Sequence, residues 1–331
     1  MQRLPKGVAI DFSRIALLED VTSVECYQRQ DGAILRRALD GVSFTVSAAQ
    51  RFALLGHDAI DLQLLTEIIG NIRPYESGRC SLMGLGMMRD KRRILEHVYY
   101  TNNQKLLYHH VQGISWLMLA SRHIVKDPIK RQLLWLDRLL QFGLERLCFT
   151  YIRNLSPAER VLLLLLLTLD IKVPLILVDL THIHVPEPLE ASFASLFRHL
   201  SENAGKTIIF STTSGTLAQR CATHAALLVN GRVQPLNTGS VGELCNTLDH
   251  RLYVLRTEDM KAAGTALQQS FPGLHLETEE DRLSVYGDKQ QAPPPSRVLN
   301  VLEDAGVLFG DFRVARPSLT EALKEANRLA V

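Results

Sequence analysis

The chain has 331 residues, 46% hydrophobic and 22% charged, a balance that supports a sizeable buried core. Its 37 basic and 35 acidic residues leave a formal charge of +2, too balanced for a nucleic-acid partner to be read from charge. Five cysteines (Cys26, Cys80, Cys148, Cys221 and Cys245) lie far apart with no CxxC pair, so they read as thiols in a reducing cytoplasm, not as a disulfide framework or zinc site.

The N-terminal MQRLPKGVAIDFSR has no long apolar core, so no signal peptide is expected. Residues 43–55 (SFTVSAAQRFALL) predict a strand, a short turn and a second strand, and Gly56 to Ala59 a loop. Helical spacing runs from Leu62 to Ile72, before Pro74, and residues 79–83 (RCSLM) predict a short strand. Residues 112–147 carry apolar residues at helical spacing. A helix start is then written at Ser156-Pro157-Ala158-Glu159, with Ser156 as N-cap, Pro157 in first position and Glu159 three residues on.

Val161 to Leu180 is very apolar, yet Asp170, Lys172 and Pro174 interrupt it near its middle. The unbroken part is far below the ~20 residues a membrane span needs. It predicts a buried helix, a turn and a fully buried strand at Leu175–Val178. A helix near 189–202 and strands at Thr207–Ser211 and Ala226–Val229 follow, and the alternation predicts a mostly parallel α/β sheet.

The character changes near residue 245, which sets expected domains of 1–245, with a helical subdomain at about 105–155, and 246–331. Strands at Leu252–Leu255, His275–Thr278, Leu283–Tyr286 and 308–314 alternate with helices at 257–271 and 297–305, and a last helix starts at Ser318. The order β-α-β-β-α-β predicts a small ferredoxin-like α+β unit.

Taken in order, these segments resemble ATP-binding-cassette (ABC) ATPases. Residues 51–84 (RFALLGHDAIDLQLLTEIIGNIRPYESGRCSLMG) are similar to the Walker A segment and its sequel, and residues 38–44 (ALDGVSF) to the strand that leads into the domain. Leu155-Ser156-Pro157-Ala158-Glu159 stands where the LSGGQ signature belongs, and residues 175–179 (LILVD) resemble Walker B. Residues 207–213 (TIIFSTT) resemble the strand before the switch histidine, and residues 229–233 (VNGRV) the closing hairpin. Residues 316–321 (RPSLTE) are similar to the end of ATPases that serve ABC-2-type exporters. The resemblance implies an α/β P-loop fold with a helical subdomain, ahead of the α+β unit.

It also assigns positions, and many have changed. A P-loop, GxxxxGK[ST], cradles phosphates with backbone N–H groups, a lysine and a hydroxyl on Mg²⁺. Gly56 is kept, but Asp61 stands at the second glycine, Leu62 at the lysine and Gln63 at the Ser/Thr. A carboxylate ~4 Å from a phosphate charge costs about 4 kcal/mol at an effective dielectric near 20. Asp179 keeps the Walker B aspartate, while Leu180 replaces the general-base glutamate and cannot accept a proton. Thr213 stands at the switch histidine, Asn103 or its neighbour Gln104 at the Q-loop, and Tyr27 at the adenine-stacking aromatic. In the signature, Pro157 has no N–H and Ala158 adds a methyl, leaving Ser156 and Glu159 as its polar residues.

The resulting expectation is a catalytically impaired subunit, with no cofactor or only weak ATP and Mg²⁺ binding. Its partners would be an ABC-2-type permease and a second cassette, its own copy or an active ABC ATPase, with no nucleic acid. It would sit in the cytoplasm, peripheral to the inner face of the plasma membrane. One alternative is an active, atypical ABC ATPase in which Arg51 or Arg73 reaches the phosphates. Another is a soluble interaction protein without a transporter. His182 and His184 read as a polar loop, His109-His110 as a solvated turn, and Arg89 with Lys91-Arg92-Arg93 as a solvated basic run. Trp116 and Trp135 are candidate permease contacts or core residues.

Overall fold

The structure is a computed structural model and describes residues 10–29, 32–101, 107–246, 250–257, 259–279, 282–288, 293–315 and 318–329. The chain packs as two units, residues 1–241 with 326–331, and residues 242–325.

In the first unit, β1 (Arg14–Arg29) and β2 (Gly32–Ser47) form a long antiparallel pair. Next come β3 (Arg51–Gly56), α1 (Ala59–Ile69), β4 (Ser77–Leu82), β5 (Leu85–Gly86), α2 (Lys91–Leu95) and β6 (Val98–Tyr100). A helical stretch carries α3 (Gly113–Ala120), α4 (Pro128–Gln141), α5 (Glu145–Phe149) and α6 (Pro157–Leu167). Then follow β7 (Leu175–Asp179), α7 (Glu187–Arg198), a π turn at His199–Asn203, β8 (Thr207–Thr212), α8 (Gly215–Cys221), β9 (His224–Leu228) and β10 (Thr238–Ser240), and α9 (Val241–Asn246) begins at the boundary and belongs from Gly242 to the second unit.

Six strands make the main sheet in the order β10-β9-β3-β8-β7-β6, with β9, β3, β8, β7 and β6 parallel and β10 antiparallel at one edge. β3, β7 and β8 are buried almost throughout, which is why they read as continuous apolar runs and not as alternating ones. A smaller antiparallel sheet has the order β2-β1-β4-β5. One core joins Leu62, Leu65, Ile68 and Ile69 of α1 to Leu54 and Leu177 of the main sheet and to Leu18 and Val42 of the smaller one. Phe44 stacks on Phe52 across the two sheets, with ring centroids 5.3 Å apart.

The apolar stretch 161–180 resolves as expected. Leu162 to Leu166 are at most 1% exposed, worth about 1.5–3 kcal/mol each. The turn between α6 and β7 is held from outside: the Lys206 ammonium donates to the carbonyls of Thr168 and Ile171, and the Arg138 guanidinium grips the Asp170 carboxylate with two bonds. Among the described residues no helix is long and apolar enough to cross a membrane.

One expectation needs correction. α1 starts at Ala59 instead of Leu62, because Asp58 caps it, so the loop after Gly56 holds only His57 and Asp58. The stretch 112–147 is helical as expected and is divided into three helices. It breaks before Asp127-Pro128, which caps and starts α4, and at Gly143, whose φ of +67° ends it. Trp116 and Trp135 are 3% and 0% exposed, so both are core residues, and the Trp135 indole donates to Ser121 Oγ at 2.7 Å.

The second unit contains β11 (His250–Thr257), α10 (Met260–Ser270), β12 (His275–Glu279), β13 (Arg282–Asp288), α11 (Pro295–Asp304) and β14 (Phe309–Ala315), and α12 (Leu319–Leu329) ends the described chain. The four strands form an antiparallel sheet in the order β12-β13-β11-β14. Tyr253, Leu255, Leu283 and Val285 pack against Ala263, Leu267, Val298 and Leu302 of α10 and α11. The strand and helix order is the β-α-β-β-α-β read from the sequence.

Candidate functional site

In an open parallel sheet, ligands meet the loops at the carboxyl ends of the strands. Here Gly56, Asp179 and Thr212 end β3, β7 and β8 on that edge, with Asp179 in register with Ser211 and Leu55 with Thr212. Tyr100 ends β6 beside them, in register with Leu177.

Gly56 is required by packing. A Cβ there would lie 2.8 Å from the Leu228 carbonyl oxygen and 3.5 Å from Leu62 Cδ2. After His57, Asp58 turns its carboxylate onto the helix start, where Oδ1 accepts from the backbone N–H of Ile60 at 2.9 Å and of Asp61 at 3.4 Å. Asp61, which the resemblance sets at the second glycine, is buried at 1% exposure. Leu62 is fully buried and belongs to the core shared by the two sheets.

Gln63 is half-buried in this turn. Its Nε2 donates to Glu67 Oε1 at 2.9 Å, and its Oε1 accepts from His182 Nε2 at 3.0 Å. Glu67 in turn pairs with Arg73 at 2.6 Å. The loop after β7 is closed by a second network. Asp179 Oδ1 accepts from the Thr181 N–H at 3.0 Å and the Ser211 hydroxyl at 3.1 Å, and Oδ2 accepts from Tyr100 OH at 3.4 Å. Thr181 Oγ1 donates to Ser211 Oγ at 2.8 Å. Leu180 is 1% exposed, turned inward, whereas Thr213 is exposed. No cluster of three or more His, Cys, Asp or Glu side chains that could hold a metal occurs among the described residues.

The signature position opens α6 with the predicted capping box. Ser156 Oγ accepts from the Glu159 N–H at 3.3 Å, and Glu159 Oε2 accepts from the Ser156 N–H at 2.8 Å. Pro157 takes the first helical position, Leu155 and Ala158 are buried, and Glu159 Oε1 also pairs with Arg146 at 3.3 Å.

Neither arginine offered as a stand-in for the lysine is placed for that role. Arg51 begins β3, at the sheet edge opposite the loops, and is bound to the Cys221 carbonyl, Ser201 Oγ and Glu202. Arg73 lies beyond the far end of α1, on Glu67. Tyr27 pairs with Ile34 in the β1–β2 ladder, but its side chain lies outside the described residues, as do Asn103 and Gln104 entirely. Four residues of the site were not foreseen: Asp58, Tyr100, Thr181 and Ser211. Asp58 carried a signal, an aspartate just before an apolar-periodic run. The other three come together only through strand pairing.

Solved cassettes share this fold. MJ0796, determined as a dimeric ATP-binding cassette in a post-hydrolysis state bound to ADP and Pi, is 18% identical, with a TM-score of 0.53 over 68% of this chain and 98% of its own. CbiO1 from Clostridium perfringens, part of the ABC transporter complex cbiONQ, is 16% identical, with a TM-score of 0.52 over 72% of this chain and 95% of its own. An ATP-binding subunit of an ABC transporter is 19% identical, with a TM-score of 0.51 over 70% of this chain and 92% of its own. No protein-family model matches the chain, and no curated protein matches it in sequence. The fold is therefore that of an ABC ATPase, a P-loop-type α/β cassette.

Proposed function

We propose that this chain is a cassette subunit that does not turn over ATP and acts as a scaffold or regulator of an ABC-2-type membrane transport complex, paired with its own copy or with an active ABC ATPase. One observation carries the reading: Leu62, at the lysine position, is buried in the core while the Asp58 carboxylate takes the N–H groups of Ile60 and Asp61. A phosphate held there needs free amides and a nearby cation. Here the amides of Ile60, Asp61 and Leu62 are already bonded, an alkyl group stands in place of the cation, and two carboxylates share the turn. Asp179 has three hydrogen-bond partners of its own, and Leu180 next to it cannot serve as a base. The residues do not fit a magnesium nucleotide held in the P-loop manner.

The signature supports the same reading. Pro157 lacks an N–H, and the Ser156–Glu159 box uses the N–H groups of Ser156 and Glu159 internally. Docking on membrane subunits is supported by the helical part, where Ile129, Leu133 and Leu140 of α4 are 70%, 61% and 63% exposed. Single exposed leucines are ordinary, but three on one helix form a strip that a partner helix can cover.

Calorimetry on the purified chain with millimolar Mg-ATP is expected to show neither heat nor a rise in melting temperature. ATP hydrolysis that disappears in Asp179→Asn overturns the proposal. Extraction of the tagged chain from membranes in detergent should recover an integral membrane protein with it; recovery from the soluble fraction alone removes the transporter part.

A further inference from the structure

Strand β14 is the edge of the second unit's sheet. It pairs with β11 and, among the described residues, with no strand on its other side. Side chains along it are open among the described residues: the Arg313 side chain is 74% exposed, Val314 56% and Leu308 just before the strand 85%. An open edge offers N–H and C=O groups to another strand, and the side chains decide which strand fits.

The sequence of β14 is complementary to itself. When a two-fold axis lays an edge strand antiparallel to its own copy, each residue faces one on the same side of the sheet, so the register centres on a residue. Centred on Phe312, Asp311 faces Arg313 of the second copy and Arg313 faces the second copy's Asp311, giving two unlike-charge pairs on one face. Asp311 and Arg313 already share that face, 2.7 Å apart within the strand. Centred on Asp311 or Arg313, like charges oppose each other; centred on Val314, neither charge meets its opposite. The strand's bulge falls at Gly310, leaving 311–315 as the regular run that pairs.

We propose that β14 is a self-pairing edge through which two copies join their four-stranded sheets into one of eight strands, centred on Phe312. The interface is short, well under the area of a stable dimer, so it is a concentration-dependent contact that adds to any other pairing of the chain. It does not depend on the reading of the nucleotide site.

The test uses the full chain. Asp311→Cys and Arg313→Cys are made separately, and a short thiol crosslinker is applied to each alone and to their mixture, with the parent chain as the background for native cysteines. The mixture should yield several-fold more crosslinked dimer than either variant alone. Equal yields in all three, or none above background, overturn the register. Independently, sedimentation of Asp311→Arg should show self-association about tenfold weaker, restored in Asp311→Arg combined with Arg313→Asp. Association indifferent to both exchanges, as when the edge serves a strand of another protein, also overturns it.

Discussion

Helix α1 begins after Asp58 and helix α6 after Ser156, and at both the first backbone donors are taken by side chains of the same chain. The solutions differ. At α1 a single carboxylate serves two N–H groups and sets a negative charge at the positive end of the helix. At α6 a serine and a glutamate satisfy each other's backbone while a proline removes one donor. A helix start leaves four N–H groups without intrahelical partners, and burying them unmet is costly. The resemblance to ABC ATPases places the two starts in the Walker A and signature segments; here side chains of the chain itself cap both. The difference is that α1 keeps its donors and masks them, whereas α6 has deleted one.

The largest effect expected from testing this comparison is at Leu62. Leu62→Lys restores the P-loop residue by name, but the side chain it replaces lies in the core. Burying an ammonium there should cost about 3–5 kcal/mol in urea unfolding, with no gain in ATP affinity. A variant of unchanged stability whose melting temperature rises with Mg-ATP would show that this side chain can swing into the loop, and α1 would then be a masked site and not a lost one.

Next comes Asp179, which ties β7 to β8 and β6. Asp179→Asn keeps the shape and weakens three charge-assisted bonds, for an expected loss of about 1–3 kcal/mol in thermal or urea unfolding. A silent substitution would mean that the Ser211–Thr181–Tyr100 network contributes nothing measurable to the fold.

The two caps can be compared directly. Asp58→Ala and Ser156→Ala should each cost about 1 kcal/mol. Sulfate then separates them. Freed amides at α1 should bind the anion, so its increment in melting temperature over the parent chain should be larger for Asp58→Ala than for Ser156→Ala, where Pro157 has removed a donor. Equal increments would mean that the two helix starts are equivalent and that the comparison fails.

How far the sequence revealed these sites follows from the range of the interactions. The α6 box is local, Ser156 to Glu159, and was legible as a motif with Pro157 between. The α1 cap is just as local, yet a loop expected over Gly56–Ala59 leaves Asp58 without a helix to cap, although the helical spacing from Leu62 on already carries the Leu62, Leu65, Ile69 periodicity that buries Leu62. The continuous apolar runs of β7 and β8 announced a covered parallel sheet. The meeting of Asp179 with Ser211 and Tyr100 spans 32 and 79 residues of chain and depends on strand order, which no local pattern encodes.

The smallest expected effect isolates the box from the charge it carries. Glu159 Oε2 serves the Ser156 N–H, while Oε1 reaches Arg146, whose side chain is 74% exposed. Glu159→Gln keeps an acceptor for the cap and discards the ion pair. A solvated guanidinium recovers water, so the change should stay within about 0.5 kcal/mol and should not vary with salt. Glu159→Ala removes the acceptor as well and should approach the cost of Ser156→Ala. If the glutamine variant falls as far as the alanine one, the start of α6 is held by Arg146 and not by its own backbone, and its resemblance to the Asp58 cap, where a carboxylate alone does the work, is closer than the box geometry implies.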